Sequence, residues 1–391
     1  MFRRPRNSPA YTAPGVLASR SDHHTIHSSS PAPSHRLALL PPCHPPAVTC
    51  PFVDTPRAPR ARPPTGRVRS PYPRTDVSPT APDLIRAEFD RCRQIPSLVD
   101  LRTAVRGNDW DTVQAYFDFL EDEDERAVAA NLVADLSSSE RFLEHQVAAH
   151  GSPLARTLLA ARYIDVGWDI RSGYTAEHVS REQFQQFHGW LRRAEQLLIG
   201  VCADEPAYAL AWSYRLTTAR GLELGANEAR RRYDRLAEHH PHHIQAQILL
   251  LQQLCPKWGG RWEEAFGFAR ACLDAAPAGS HAGRLVVQAH LERWLDDSDD
   301  RPSDYLRATE VRDDVLAAAD RSVRHPDYRP GFHWVGDHND FAGALSLGGH
   351  YREAAPFFRT LGDKATEYPW AYYGDREVQF LKHRRRAMAK G

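Results

Sequence analysis

The sequence predicts an all-α protein in which short antiparallel helix pairs stack into an α-solenoid behind a disordered N-terminal tail. Three observations lead there. From Pro82 onward apolar residues recur at three- and four-residue spacing, with almost none of the alternation a half-buried strand needs. Each helix that can be placed ends in Gly, Pro or Asn within about 20 residues. One pattern of small and large residues returns every 35 or 36 positions.

The tail comes first. Residues 1–82 hold 18 of the 29 prolines, with 11 arginines against three acidic residues, Asp22, Asp54 and Asp76. The chain as a whole has 50 basic and 50 acidic residues, so its zero net charge hides a tail near +8 and a body near −8. Stretches such as "RAPRARPPTGRVRSPYPR" bury too little apolar surface to offset the entropy of ordering them, so residues 1–82 read as disordered. The run "LALL" is too short for a signal-peptide core, and the prolines oppose the amphipathic helix of a transit peptide. Arginine outnumbers lysine 46 to 4, a habit of high-GC genomes, and part of the tail reads as a mis-called start with Val68 or Val77 as the true one. Cys43, His44 and Cys50 offer three ligands on a proline-stiffened loop where a metal wants about four, so no metal site is expected there. Six cysteines without a regular framework suit a reduced, cytoplasmic setting. No run approaches the length of a membrane span.

The body, 83–391, reads as one helical-repeat domain. "GNDWDTVQAYFDFL" places Trp110, Val113, Phe117 and Leu120 on one helical stripe. "EDEDE", Glu121 to Glu125, reads as the solvated first turn of the helix that follows, acidic side chains facing the positive end of the helix dipole. The stretches 123–180 and 285–335 break the period, and irregular helices are expected there. The clearest repeats span 190–277. Ala194, Ala229 and Ala265 each precede a proline, Pro206, Pro241 or Pro277, by 12 residues. Leu198, Tyr233 and Ala269 follow the alanines by four, and Val201, Leu236 and Cys272 by seven, which describes a helix packed tightly on a neighbour and closed by proline. Between the first two of these lies a helix with the stripe Tyr208, Trp212, Leu216 and Ala219. Tyr351, Ala354, Phe358 and Leu361 repeat the second-helix spacing near the end, and "KHRRR" places cations at the close of the last helix.

This period, with a small residue early in the second helix and a closing proline, resembles the tetratricopeptide repeat. The resemblance covers Trp190 to Pro277. It departs from the repeat in the first helices, where the expected Trp, Leu-Gly and Tyr are mostly missing and only Trp212 comes close. The corner "CPKWGG" and the late "YPWAYYGD" are also similar to a bacterial family of uncharacterised helical proteins, a likeness that implies no activity.

"PKWGGRWEEAFGFAR" is the stretch that most resembles a site. A phosphate loop puts its lysine after the glycines and a Ser or Thr behind it. Here Lys257 precedes Gly259 and Gly260, so the glycines read as the turn between two helices, Trp262 as core, and Trp258 as the residue left over to anchor a helix or a partner. "EHHPHH" gathers His239, His240, His242 and His243, but the proline splays them, and no metal is expected. In "FHWVGDHNDF" the group His333, Asp337 and His338 could serve an enzyme, although Asp337 or Asn339 reads more simply as the cap of the next helix.

Arrays of this type mostly bind partners on the concave surface lined by their first helices. The expected function is therefore a protein- or peptide-binding scaffold, without cofactor or catalytic residues, and nucleic acid is disfavoured by the acidic body. The tetratricopeptide pattern implies Ser213, Thr217, Arg220, Gln245 and Gln252 as groove-facing residues, with Arg220 placed to grip a carboxylate and Trp258 beside them. A sensor holding a small signal molecule is the first alternative, and an enzyme built on His333, Asp337 and His338 the second.

Overall fold

The computed structural model describes residues 86–172, 179–297 and 304–391, all inside a unit that spans Pro79–Gly391. The stretch 1–82, with Cys43, His44, Cys50 and the start candidates Val68 and Val77, lies outside the described residues.

Among the described residues there are sixteen α-helices and no strand. They are α1 (Arg91–Gln94), α2 (Leu98–Gly107), α3 (Trp110–Phe119), α4 (Glu123–Asp135), α5 (Glu140–Ala149), α6 (Pro153–Arg171), α7 (Arg181–Asp204) and α8 (Ala209–Gly221). The second half holds α9 (Ala226–Ala237), α10 (Ile244–Leu254), α11 (Trp262–Ala275), α12 (Gly283–Asp296), α13 (Thr309–Arg321), α14 (Trp334–Leu347), α15 (Tyr351–Leu361) and α16 (Arg376–Lys390). Their starts are written in the sequence. Asp109, Asp122, Ser152 and Asp375 each accept a first-turn backbone N–H, and Ser180 forms a capping box with Gln183.

The even-numbered helices from α2 to α16 each pack on the next even one, and from α6 onward every helix also packs on its neighbours in sequence. The stripes read from the repeat face the core: Ala194, Leu198 and Val201 on α7, Ala229, Tyr233 and Leu236 on α9, and Ala265, Ala269 and Cys272 on α11 are all buried. The even helices differ from this amphipathic pattern. α8, expected to bury one stripe, is buried on nearly all sides, Leu210, Ala211, Ser213 and Tyr214 included, because α4, α6, α7, α9 and α10 surround it. The described parts of the stretches expected to be irregular hold regular helices, α4, α5 and α6 in the first and α12 and α13 in the second. In 123–180 the period breaks because α6 runs to 19 residues, and in 285–335 because the 3-10 turns Tyr305–Arg307 and Gly331–His333 interrupt the α-helices.

Polar ties hold the layers in register. The buried carboxylate of Glu195 on α7 accepts from Arg215 Nη2 at 2.9 Å and pairs with Arg232 Nη2 at 2.9 Å, joining α7 to α8 and α9. Thr218 donates to its other oxygen. The two ends of the described chain also meet. Glu88 donates its backbone N–H to Asp363 (2.8 Å) and accepts from Ala365 (3.0 Å), while Gln94 Nε2 donates to the carbonyls of Glu88 and Ala365.

Candidate functional site

Two polar centres lie against α12, whose His281, Arg284, Gln288 and Glu292 follow one another at spacings of three, four and four and so line one face of the helix and the turn before it. The first centre is at the C-terminal end of α12. There Glu292, buried, accepts from Gln252 Nε2 at 2.8 Å and from Lys257 Nζ at 2.6 Å. Lys257 and Trp258 are held there by the corner after α10. Pro256–Trp258 form a 3-10 turn, Gly259 adopts φ +84°, and a Cβ on Gly260 would stand 2.1 Å from the Leu254 carbonyl oxygen. Only glycine fits both demands.

Trp258 meets Trp168 of α6 edge-on, ring centroids 6.3 Å apart, and Arg220 of α8 lies by both, 5.6 Å from the Trp258 ring and 5.8 Å from the Trp168 ring. Arg220 is seated by close packing of its own helix end, where a Cβ on Gly221 would meet Leu191 at 2.4 Å. Its Nε and Nη1 are shut off from solvent without a hydrogen-bond partner, and so is Trp168 Nε1. Burial lowers the Arg220 pKa to about 10, against the opposing pull of Tyr372, Glu292 and Cys255, so the group is charged at neutral pH. Tyr372, 61% exposed, belongs to the turn 370–373 and faces Tyr368 edge-on at 5.6 Å; the Tyr368 hydroxyl is buried and without a partner. The two stretches singled out by their likeness to a bacterial family, "CPKWGG" and "YPWAYYGD", thus converge electrostatically on one arginine.

The second centre is at the other end of α12. Asp337, fully buried, accepts from His281 Nδ1 at 2.6 Å and from the Tyr328 hydroxyl at 2.9 Å. Asp340 accepts from Arg284 Nε at 2.5 Å and Gln288 Nε2 at 2.8 Å. Across from them Asp124 of α4 pairs with His243 Nδ1 at 3.0 Å and accepts from the first backbone N–H groups of α10. Burial alone would raise the Asp124 carboxyl; His243 overrides it and holds Asp124 well below the usual carboxylate range. His333 stands by His281, ring centroids 5.4 Å apart, and burial lowers its pKa to about 4.

Several expectations change here. Asp337 and Asn339 lie inside α14 and do not cap it, since the helix starts earlier, at Trp334, and their side chains turn inward. Asp124 is not on a solvated turn, because α10 begins directly against it. His333, Asp337 and His338 do not hydrogen-bond one another; His338 Nδ1 donates to the Trp334 carbonyl of its own helix. Trp262 is only partly buried, its Nε1 reaching Asp296 at 3.3 Å. Of the histidines in "EHHPHH", His239 and His242 are exposed and His243 alone is buried.

Of the expected groove residues, Arg220, Gln252 and Trp258 come together around Glu292. Gln245 sits by Asp124, its backbone N–H donating at 3.3 Å. Ser213 is buried within α8, and Thr217 is partly buried one turn before Arg220. Sequence reasoning missed Trp168, Glu292, His281 and Arg284. The polar stripe of His281, Arg284 and Glu292 along α12 and the turn before it was the available signal for three of them; Glu292 and Trp168 lie in the stretches, 285–335 and 123–180, where the lost period led to irregular helices being expected.

No protein-family model matches the chain, and no curated protein matches it. Among the described residues no helix is long and apolar enough to cross a membrane.

Proposed function

We propose that this protein is a helical-repeat scaffold, an α-solenoid of tetratricopeptide-like helix pairs working in the cytoplasm, that holds a protein or peptide partner at the mouth formed by Trp168, Arg220, Lys257, Trp258 and Tyr372. One observation carries the reading: Arg220 keeps its charge between two tryptophans with no acceptor for Nε or Nη1. Buried donors are nearly always satisfied, and a guanidinium without an acceptor is costly to keep unless something else completes it. The polar centre around Asp337 and Asp340 also leaves buried atoms without a partner, Asp337 Oδ1, Asp340 Oδ1 and His333 Nε2, but its charges are matched within it, Asp337 by His281 and Arg284 and Asp340 by Arg284, whereas Arg220 has no such counter-charge among the described residues.

The test is crosslinked capture from lysate of the organism that encodes the chain, with the full chain as bait and Arg220→Glu as control. The expected outcome is a defined partner captured by the native chain and lost with the variant. A partner retained in full by the variant removes Arg220 from the binding surface and this reading with it.

A further inference from the structure

We infer that the group recognised at Arg220 is a planar monoanion, a carboxylate flanked by apolar or aromatic surface, and not a phosphate. The inference rests on the binding role proposed above and adds the chemistry of what is bound.

Charge is the first argument. Lys257 is already neutralised by Glu292 at 2.6 Å, and a third cation, Arg171, stacks over Trp168 at 5.6 Å with its Nη1 given to the Ser172 carbonyl. Arg220 is therefore the cation that Glu292 and its partners leave unbalanced. One negative charge balances it. A phosphate dianion would bring a second negative charge beside the buried Glu292 carboxylate, whereas a monoanion balances Arg220 one to one.

Geometry is the second. The guanidinium fork matches the two oxygens of a carboxylate with parallel N–H bonds, and Trp168 Nε1 offers a further donor with no acceptor of its own. Two indole rings at 5.6 and 5.8 Å supply flat apolar faces, which suit an apolar body behind the anion and give nothing to the hydrated oxygens of a phosphate. Arg220 as a residue is only partly buried, but its Nε and Nη1 and Trp168 Nε1 are enclosed, so a bound anion has to displace the packing around them.

The site also has the signature of a group kept for binding. Removing Arg220 breaks no hydrogen bond or ion pair within the described residues. An Arg220→Met chain should consequently fold at least as well as the native one, so loss of binding in it cannot be blamed on unfolding.

The experiment titrates the full chain with benzoate, benzamide and inorganic phosphate at one ionic strength, reading tryptophan fluorescence and calorimetric heat. Benzoate is expected to saturate, roughly in the millimolar range or tighter for so small a molecule, with benzamide and phosphate at least tenfold weaker. Arg220→Met should lose benzoate binding while matching or exceeding the native Tm, and Arg220→Lys should keep part of it. Phosphate binding as tight as benzoate, equal binding of benzoate and benzamide, or unchanged benzoate binding by Arg220→Met would each overturn the inference. If benzoate neither binds nor displaces a partner that Arg220→Glu loses, the monoanion inference fails and the partner reading stands. If benzoate binds through Arg220 while partner capture ignores the residue, the partner reading fails alone.

Discussion

At the scale of single residues, the histidines make stability a two-sided function of pH. His333 and His383 are held neutral, each with its pKa lowered from 6.5 to about 4, by burial first in both cases and then by the charges of Lys382 and Arg386 for His383. The unfolded chain takes up protons at these positions between pH 6.5 and 4 and the folded chain does not. Their contribution is therefore complete above the unfolded pKa and is lost as pH falls towards 4. His243 and His281 run the other way. Burial pushes both down, but Asp124 and Asp337 more than offset it and raise them, so what they contribute is complete below the unfolded pKa and is lost as pH rises through the folded value. Denaturant unfolding of His383→Gln should show a flatter acid limb than the native chain, smaller by about 2–3 kcal/mol between pH 7 and 4.5 at most. An unchanged acid limb would mean that His383 titrates alike folded and unfolded. Arg220 belongs to the same scale. A guanidinium pushed from 12.5 to about 10 costs the fold on the order of 3 kcal/mol at every pH at which it stays charged. On the binding role proposed above, that cost is offset when an anion meets the guanidinium.

At the scale of helices and turns, what could be read in the sequence followed from how each helix meets water. α7, α9 and α11 have one wet face, so their apolar stripes appear as a 35- and 36-residue rhythm and were legible down to the alanines and prolines. α8, α12 and α14 are enclosed, and enclosure removes the alternation on which a stripe depends. Ser213 reads as groove-facing and Asp337 as a helix cap because a polar residue in a helix usually meets water or a helix end, yet neighbours on all sides bury both. The candidate site was legible in part for the same reason. Arg220, Gln252 and Trp258 stand at helix ends where turns punctuate the sequence, whereas Trp168 and Glu292 lie in stretches that keep no period. The tie centred on Glu195 tests the enclosed packing. Glu195→Ala would leave Arg215 and Arg232 buried without their shared carboxylate, and should cost about 3–5 kcal/mol in denaturant unfolding, more than a surface ion pair ever does. A cost below 1 kcal/mol would show that water reaches these guanidinium groups.

At the scale of the whole described unit, the contacts between its first and last segments matter most. Gln94, buried, donates one nitrogen to carbonyls from both segments, Glu88 at 2.7 Å and Ala365 at 2.8 Å. Gln94→Ala leaves both carbonyls without that donor and should cost about 1–3 kcal/mol. Hydrogen exchange should then quicken together at 87–98 and at 363–378 while α9 to α11 keep their protection. Faster exchange at only one of the two segments would show that they open independently.

That junction also sets an order of events during synthesis. Residues 87–94 leave the ribosome long before 363–377 exist, and at roughly 5–20 residues per second the wait is about a quarter of a minute to a minute. Throughout that interval Glu88 and Gln94 lack the partners at Asp363 and Ala365 that they bond in the finished fold. Each nascent chain thus spends most of its translation with its first described segment unclasped, and the junction closes only near the end of synthesis.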